Sequence, residues 1–307
     1  MFNWFAPKVY NSGYLPEKDG HRIYFMEAGS KNGRPILMFH GGPGGCSRAA
    51  KAADFPRGWR LIMFDQRGAG KSLPKGEMQN NTTWNLLQDA ERLLEYLDIK
   101  EQVVVYGTSW GSTLALLFAE QYPQKVRAML LSKIFLADDL SAEWSEHYSS
   151  WFYPDIWQQL EDAAQDKGDI VAAYAKMINS ADAAKQKLAA GLYGRYERVM
   201  GSLNPRLDTE NVNDDDVAEN KIYINYAAQK FMLKEGEILH HIDKVQHLPS
   251  LIVHNRLDMV CPLIGAYRLH QVLPQSKLVI VPAKGHGGKL HSAVNRREMR
   301  QFLRNLA

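Results

Sequence analysis

The span Val103-Val104-Val105-Tyr106-Gly107-Thr108-Ser109-Trp110-Gly111-Ser112-Thr113-Leu114-Ala115-Leu116-Leu117-Phe118-Ala119 joins three patterns. Val103 to Gly107 is a short β-branched run, as expected of a strand buried on both faces. Thr113 to Ala119 is apolar from Leu114 onward and long enough to continue as a buried helix. Between them Gly107-Thr108-Ser109-Trp110-Gly111 fits G-x-S-x-G, in the strand–turn–helix setting that gives this pattern meaning. A serine in such a turn is strained, with its hydroxyl pushed out above the sheet. Side chains two residues to either side would collide, so both positions need glycine. The turn also aims the Trp110 N–H and the helix N-terminus at any oxyanion that develops there. The alternative is a small-residue junction carrying an ordinary serine.

The same alternation extends outward from this turn. His21-Arg22-Ile23-Tyr24-Phe25-Met26-Glu27, Pro35-Ile36-Leu37-Met38-Phe39-His40, Arg60-Leu61-Ile62-Met63-Phe64-Asp65 and Val126 to Ser132 read as further strands. A helix capped near Asn81-Thr82-Thr83 carries Trp84, Leu87, Leu94 and Leu97 on one face. This β-α-β order predicts a mostly parallel central sheet with helices on both faces. From Leu136 to Leu233 the patterns are helical only, including Ile156-Trp157-Leu160 and Ile170-Val171-Tyr174-Met177-Ile178. Asn211 to Asn220 reads as a solvated loop or a helix start. Strands return at Ser250 to His254 and Lys277 to Val281, and a helix over roughly 292–306 closes the chain. The expected organisation is one α/β domain from residues 1–135 and 234–307, interrupted by a helical cap at 136–233.

Composition narrows the possibilities. The 307 residues are 45% hydrophobic and 23% charged, which excludes a disordered chain, a collagen-like repeat and a disulfide scaffold. The net charge of +3 gives no push toward nucleic acid or a membrane surface. No apolar run approaches the roughly 20 residues of a membrane span. Met1-Phe2-Asn3-Trp4 carries no signal-like pattern, and two cysteines, Cys46 and Cys261, suit a reducing cytoplasm.

Three further segments carry chemistry. His40-Gly41-Gly42-Pro43-Gly44-Gly45 follows a core strand; in an α/β-hydrolase fold this loop supplies the second oxyanion donor, here Gly41 or Gly42. It lacks the Gly-Lys-Ser/Thr of a phosphate-binding loop, and His40 reads as a loop organiser. The fold's order of nucleophile, acid and base then selects Asp258, beyond one strand end, and His286, in a glycine-flanked loop beyond the next. Asp243 and His291 are the rival acid and base. No metal site is expected: H-E-x-x-H and C-x-x-C are missing, and the adjacent His240-His241 do not share a helix face.

These motifs together resemble the proline iminopeptidase (prolyl aminopeptidase) family of serine peptidases with the α/β-hydrolase fold. The resemblance rests on Ser12-Gly13-Tyr14-Leu15, the His40 to Gly45 loop, Asp65-Gln66-Arg67-Gly68-Ala69-Gly70-Lys71-Ser72 and Asn81-Thr82-Thr83-Trp84. Gly107 to Leu114, Arg256-Leu257-Asp258-Met259-Val260-Cys261-Pro262 and Gly285-His286 complete it. It implies a cofactor-free exopeptidase that releases N-terminal proline from peptides, with Ser109, Asp258 and His286 as the triad and with Trp110 and Gly41 or Gly42 as the oxyanion hole. A peptide or small amide with a free N-terminus is the implied partner, and no nucleic acid or membrane. An aminopeptidase needs carboxylates for the charged α-amine. Tyr196-Glu197 resembles the family's aromatic-Glu pair, which makes Glu197 the implied amine anchor; the alternative is a solvated helix glutamate. Phe135 and Trp144 match aromatic positions that would shape an apolar pocket. Where the family carries a second glutamate, Lys221-Ile222-Tyr223-Ile224-Asn225-Tyr226 has no acid, and Glu219 is off register. Two other functions keep the same motifs: hydrolysis of other aminoacyl amides, esters or lactones, and ligand binding by a pseudo-hydrolase.

Overall fold

The computed structural model describes residues 8–164, 168–206 and 211–306, except for the Glu146 side chain. Met1 to Trp4 lie outside the described residues. Eight strands form one sheet: β1 (Val9–Tyr14), β2 (Tyr24–Gly29), β3 (Arg34–Phe39), β4 (Trp59–Phe64), β5 (Val103–Thr108), β6 (Val126–Ser132), β7 (Ser250–Leu257) and β8 (Ser276–Lys284). Their spatial order is β1-β2-β4-β3-β5-β6-β7-β8. The β1/β2 and β2/β4 pairs are antiparallel and all the others parallel.

The continuous apolar runs become the central strands because both their faces are covered. Ile36, Leu37 and Phe39 of β3 and Val103 and Val105 of β5 have no accessible surface at all. Each such side chain contributes about 1.5–3 kcal/mol on burial. Helix α1 (Thr83–Tyr96) is capped by Thr82, whose hydroxyl accepts from the Asn85 N–H at 3.2 Å, and it buries Leu86, Leu87, Leu93 and Leu94. Helix α2 (Trp110–Gln121) begins directly at the serine turn, three residues earlier than its pattern suggests. Strand β2 starts at Tyr24 rather than His21. His21 and Arg22 instead form isolated bridges to Lys18 and Leu73.

Between β6 and β7 the described residues contain no strand. They hold α3 (Asp139–Glu146), α4 (Pro154–Ala164), α5 (Ile170–Ile178), α6 (Ala183–Ser202), α7 (Asp214–Ala228) and the short α8 (Glu237–His240). Asn211 to Asn220 resolves into a helix start: the Asn213 side chain accepts from the Asp215 and Asp216 N–H groups at 2.8 and 3.0 Å. Asp214, Asp215 and Asp216 then sit at the positive end of the helix dipole. An apolar cluster of its own, including Ile156, Leu160, Tyr174, Ile178, Tyr196 and Val199, holds α4, α5 and α6 together. Helix α7 serves both clusters. Ile224 packs among the inserted helices, while Ile222 and Tyr226 join the sheet's own core. Helices α9 (Leu263–Val272) and α10 (Lys289–Asn305) complete the layers. None of the described helices is long and apolar enough to cross a membrane.

Candidate active site

Ser109 caps α2 with φ 56° and ψ −134°, outside the regions an L-residue prefers, at a cost of order 1–3 kcal/mol. The surroundings enforce this conformation. A Cβ on Gly107 would lie 2.1 Å from the Gly111 carbonyl oxygen, and one on Gly111 would lie 2.2 Å from that of Phe39. Backbone bonds pin the turn: the Ser109 N–H donates to the Ser132 carbonyl at 3.1 Å, and the Ser109 carbonyl accepts from the Ser112 N–H at 2.7 Å. The Ser112 hydroxyl donates to that same carbonyl at 2.7 Å. Ser109 itself opens into a cavity of about 1110 Å³ beneath the inserted helices.

The glycine loop after β3 packs on this turn. A Cβ on Gly41 would come 3.3 Å from the Ser109 Cβ, close enough that the turn would have to give by a few tenths of an ångström, while Gly42 lines the cavity beside Ser109. Buried His40 organises the loop. It makes a 2.8 Å bond through Nδ1 to the Gly41 carbonyl, and its Nε2 accepts from the Gln66 N–H at 3.0 Å. That pairing fixes a neutral Nδ1–H tautomer, and burial lowers the ring's basicity further. The Gln66 side chain then bridges loop and turn: it donates to the His40 carbonyl at 2.9 Å and accepts from the Trp110 indole N–H at 3.0 Å. Next to it, Arg67 is fully buried against Asp89, with bonds of 2.6 and 3.0 Å to the two carboxylate oxygens. The Arg67 carbonyl accepts from Asn81, which accepts in turn from the Tyr226 hydroxyl at 2.9 Å. A chain of buried polar groups thus ties the glycine loop's neighbourhood to α7.

Asp258 follows β7 and is buried. Its Oδ1 accepts from the Val260 and Cys261 N–H groups, both at 3.0 Å. His286 Nδ1 lies 2.9 and 2.8 Å from the two carboxylate oxygens. Burial alone would raise the Asp258 carboxyl, but His286, His254 and the Cys261 amide outweigh it and hold the carboxyl below its ordinary value. His286 lines the same cavity as Ser109. The rivals are elsewhere. Asp243 lies in a short turn before β7, and His291 is buried off the cavity, where burial lowers its basicity to about 3.

Glu197, on α6, lines the cavity and accepts a 2.8 Å hydrogen bond from the Tyr223 hydroxyl of α7. Burial pushes its carboxyl up to about 7; the Tyr223 bond opposes the rise and the Asp258 charge adds to it. Phe135 lines the cavity and meets Phe231 edge-on at 4.9 Å; Phe231 also packs on Trp110 at 5.3 Å. Trp144 is different. It is not among the residues lining the cavity; its indole N–H donates to the Met259 carbonyl at 2.7 Å. A half-buried indole needs an acceptor, and this one anchors α3 to the loop after Asp258. Sequence reasoning gave no site role to Phe231, Tyr223 or Cys261 and set Glu219 aside as off register, yet all four line the cavity. Glu219 and Tyr223 lie one helical turn apart, a spacing that could have flagged both for one face.

The chain from residue 34 to 291 matches the family model for the alpha/beta hydrolase fold. A proline iminopeptidase of Arabidopsis thaliana is 37% identical over 92% of this chain and 77% of its own length. A proline iminopeptidase of Xylella fastidiosa is 33% identical over 90% of this chain and 91% of its own. The chain belongs to the proline iminopeptidase family. Its fold is also that of a proline iminopeptidase-related protein from Thermus thermophilus, with a TM-score of 0.58 at 18% identity over 96% of this chain and 98% of that one. In this family member the elbow, the Asp65-Gln66-Arg67-Gly68 loop and the Asp258 and His286 loops all gather at one end of the parallel strands. A ligand site is expected there in an open α/β sheet.

Proposed function

We propose that the protein is a serine exopeptidase that releases N-terminal proline, or another small residue, from peptides through an acyl-enzyme. The observation carrying this reading is the convergence on one cavity of strained Ser109, Asp258-bonded His286 and the half-buried Glu197 carboxylate. His286 takes the Ser109 Oγ proton through Nε2 as Oγ attacks the carbonyl of the N-terminal residue, and Asp258 stabilises the imidazolium. The Trp110 and Gly42 N–H groups receive the oxyanion, with Gly41 giving the close approach behind them. The tetrahedral intermediate collapses, His286 returns the proton to the leaving amine, and water repeats the sequence on the acyl-enzyme. Glu197 holds the substrate's α-ammonium, Phe135 with Phe231 faces the ring, and residues 136–233 act as the cap. Trp144 serves by fixing the Met259 backbone. A cytoplasmic setting accords with Cys46 and Cys261 being free thiols.

A second reading, hydrolysis of other aminoacyl amides or esters, draws on the cavity's size: about 1110 Å³ exceeds the ordinary range for a small-molecule site. Ser109→Ala tests the shared chemistry. The expected loss is about 10⁴- to 10⁶-fold in kcat on a proline arylamide. A variant that stays folded and keeps its turnover would overturn the assignment.

A further inference from the structure

The loop that carries His286 is built to be loose. Gly285 has φ 76° and Gly288 has φ 101°, and Gly287 adds a third glycine beside the imidazole. Such a loop needs ties from outside, and its backbone groups show where they are. The Gly285 N–H donates to the Leu257 carbonyl at 2.8 Å, and the His286 N–H donates to the Gly201 carbonyl of α6 at 2.7 Å. The carbonyls on either side of His286 are held by a single side chain: Asn255 Nδ2 donates to the Gly285 oxygen at 2.8 Å and to the Gly287 oxygen at 3.1 Å.

Asn255 lies on β7 with no accessible surface. Its orientation follows by elimination. Both loop partners are carbonyls, which only accept, so the amide nitrogen must face them and Oδ1 must point away. His291 Nδ1 sits 2.8 Å from that Oδ1 and therefore carries the proton, while its buried Nε2 has no hydrogen-bond partner among the described residues. A buried neutral imidazole with one donor aimed at one acceptor keeps the amide from flipping. Neither residue lines the cavity. An asparagine buried on β7 and a histidine in the first turn of α10 are costly to bury without a task.

We propose that Asn255 and His291 form a two-residue brace that sets the height and rotation of His286 relative to Ser109, with Asn255 clamping the carbonyls flanking His286 and His291 fixing which way Asn255 points. Both are positioning residues. The inference rests on His286 being the base in the proposed reaction.

The test compares kcat and KM, from pH 5 to 9, on a simple acyl ester and a proline arylamide. The variants are His291→Leu, His291→Gln, Asn255→Asp and His286→Ala. Leu removes the donor to Asn255 and frees the amide to turn; kcat should fall about 10- to 100-fold on both substrates, with KM within about twofold, as a small misplacement of a reacting group allows. Gln can donate to Oδ1 again and should recover most of the rate. Asn255→Asp replaces the donating amide nitrogen with an oxygen that accepts, and adds negative charge to a neighbourhood where Lys133, His254, Asp258 and His286 already act on His291. The imidazolium of His286 is then favoured, so the acid limb of kcat/KM should move to higher pH. Folded His291→Leu and Asn255→Asp variants with wild-type kcat and pH profile would overturn the brace. So would failure of both to fold, because the pair would then serve the fold and not His286. His286→Ala separates the two claims. If it keeps its rate, the triad reading fails; if it alone loses the rate, only the brace fails.

Discussion

Glu197 offers the sharpest perturbation of substrate choice. Its carboxyl, raised to about 7 by burial and held by Tyr223, must be ionised to receive a substrate ammonium. Between pH 8 and pH 6 the ionised fraction of such a group falls from about 90% to about 10%, by the ordinary titration relation for one site. The ratio of kcat/KM on a proline arylamide to that on a simple acyl ester should therefore fall about tenfold over the same interval. The base that takes the Ser109 proton is the same for both substrates, so its contribution cancels in the ratio. Glu197→Gln keeps the size of the side chain and removes the charge. A hydrogen bond to a charged partner is worth about 1.5–3 kcal/mol, so the variant should lose about 10- to 150-fold in kcat/KM on the arylamide at pH 8 and little on the ester. Its substrate ratio should also be flat with pH. The assay is initial-rate spectrophotometry on both substrates across the pH range. Equal losses on the two substrates, or a pH-dependent ratio surviving in the Gln variant, would refute the anchor role.

Two stability measurements probe the scaffold. Gly111→Ala puts a Cβ 2.2 Å from the Phe39 carbonyl, between backbones that cannot both yield. Chemical denaturation should show a loss of at least about 3 kcal/mol, or no folded protein. Gly265→Ala in α9, where a Cβ meets neighbours only at 3.7 Å and beyond, should instead gain about 0.5–1 kcal/mol. Glu120, buried in α2 with no hydrogen-bond partner for Oε1 among the described residues, has its carboxyl raised to about 9 by burial. An acid raised on folding stabilises fully below its unfolded value near 4.5, and that contribution is lost as pH rises toward 9. Glu120→Gln should therefore exceed the parent in stability by an amount that grows over this window, at up to about 1.4 kcal/mol per pH unit. A constant difference between pH 5 and 9 would contradict the buried, protonated state.

Much of the fold was readable because parallel strands covered on both faces become unbroken apolar runs. Val126–Ser132 was delimited to the residue, and β3 and β4 to within one. Strand β1 escaped notice: Val9–Tyr14 lies at the sheet edge, half-buried or exposed throughout, so burial never imposed a pattern on it. The start of α2 was misplaced because the helix is buried nearly all round, leaving no amphipathic stripe to mark its first turn. Asp258 and His286 were legible from their order at successive strand ends. Glu197 was placed by resemblance, and its pairing with Tyr223 depends on how α6 and α7 pack, which no local pattern encodes. Trp144 shows the reverse limit: its sequence position suggested a pocket wall, while its indole N–H donates to the Met259 carbonyl. His254, which accepts from the Ile134 N–H at 3.0 Å and bonds the Cys261 carbonyl at 2.8 Å, and its neighbour Asn255 follow the apolar run of β7 and carried no motif of their own. Buried polar residues at a strand end signal a partner but not its identity.

The proposed activity turns on recognition of a free amine next to the bond being cut, and one comparison tests that directly. The protein should hydrolyse a proline arylamide and leave its N-acetylated counterpart essentially untouched under the same conditions, because Glu197 then faces a neutral amide in place of an ammonium. Equal or faster cleavage of the acetylated compound would contradict the exopeptidase account.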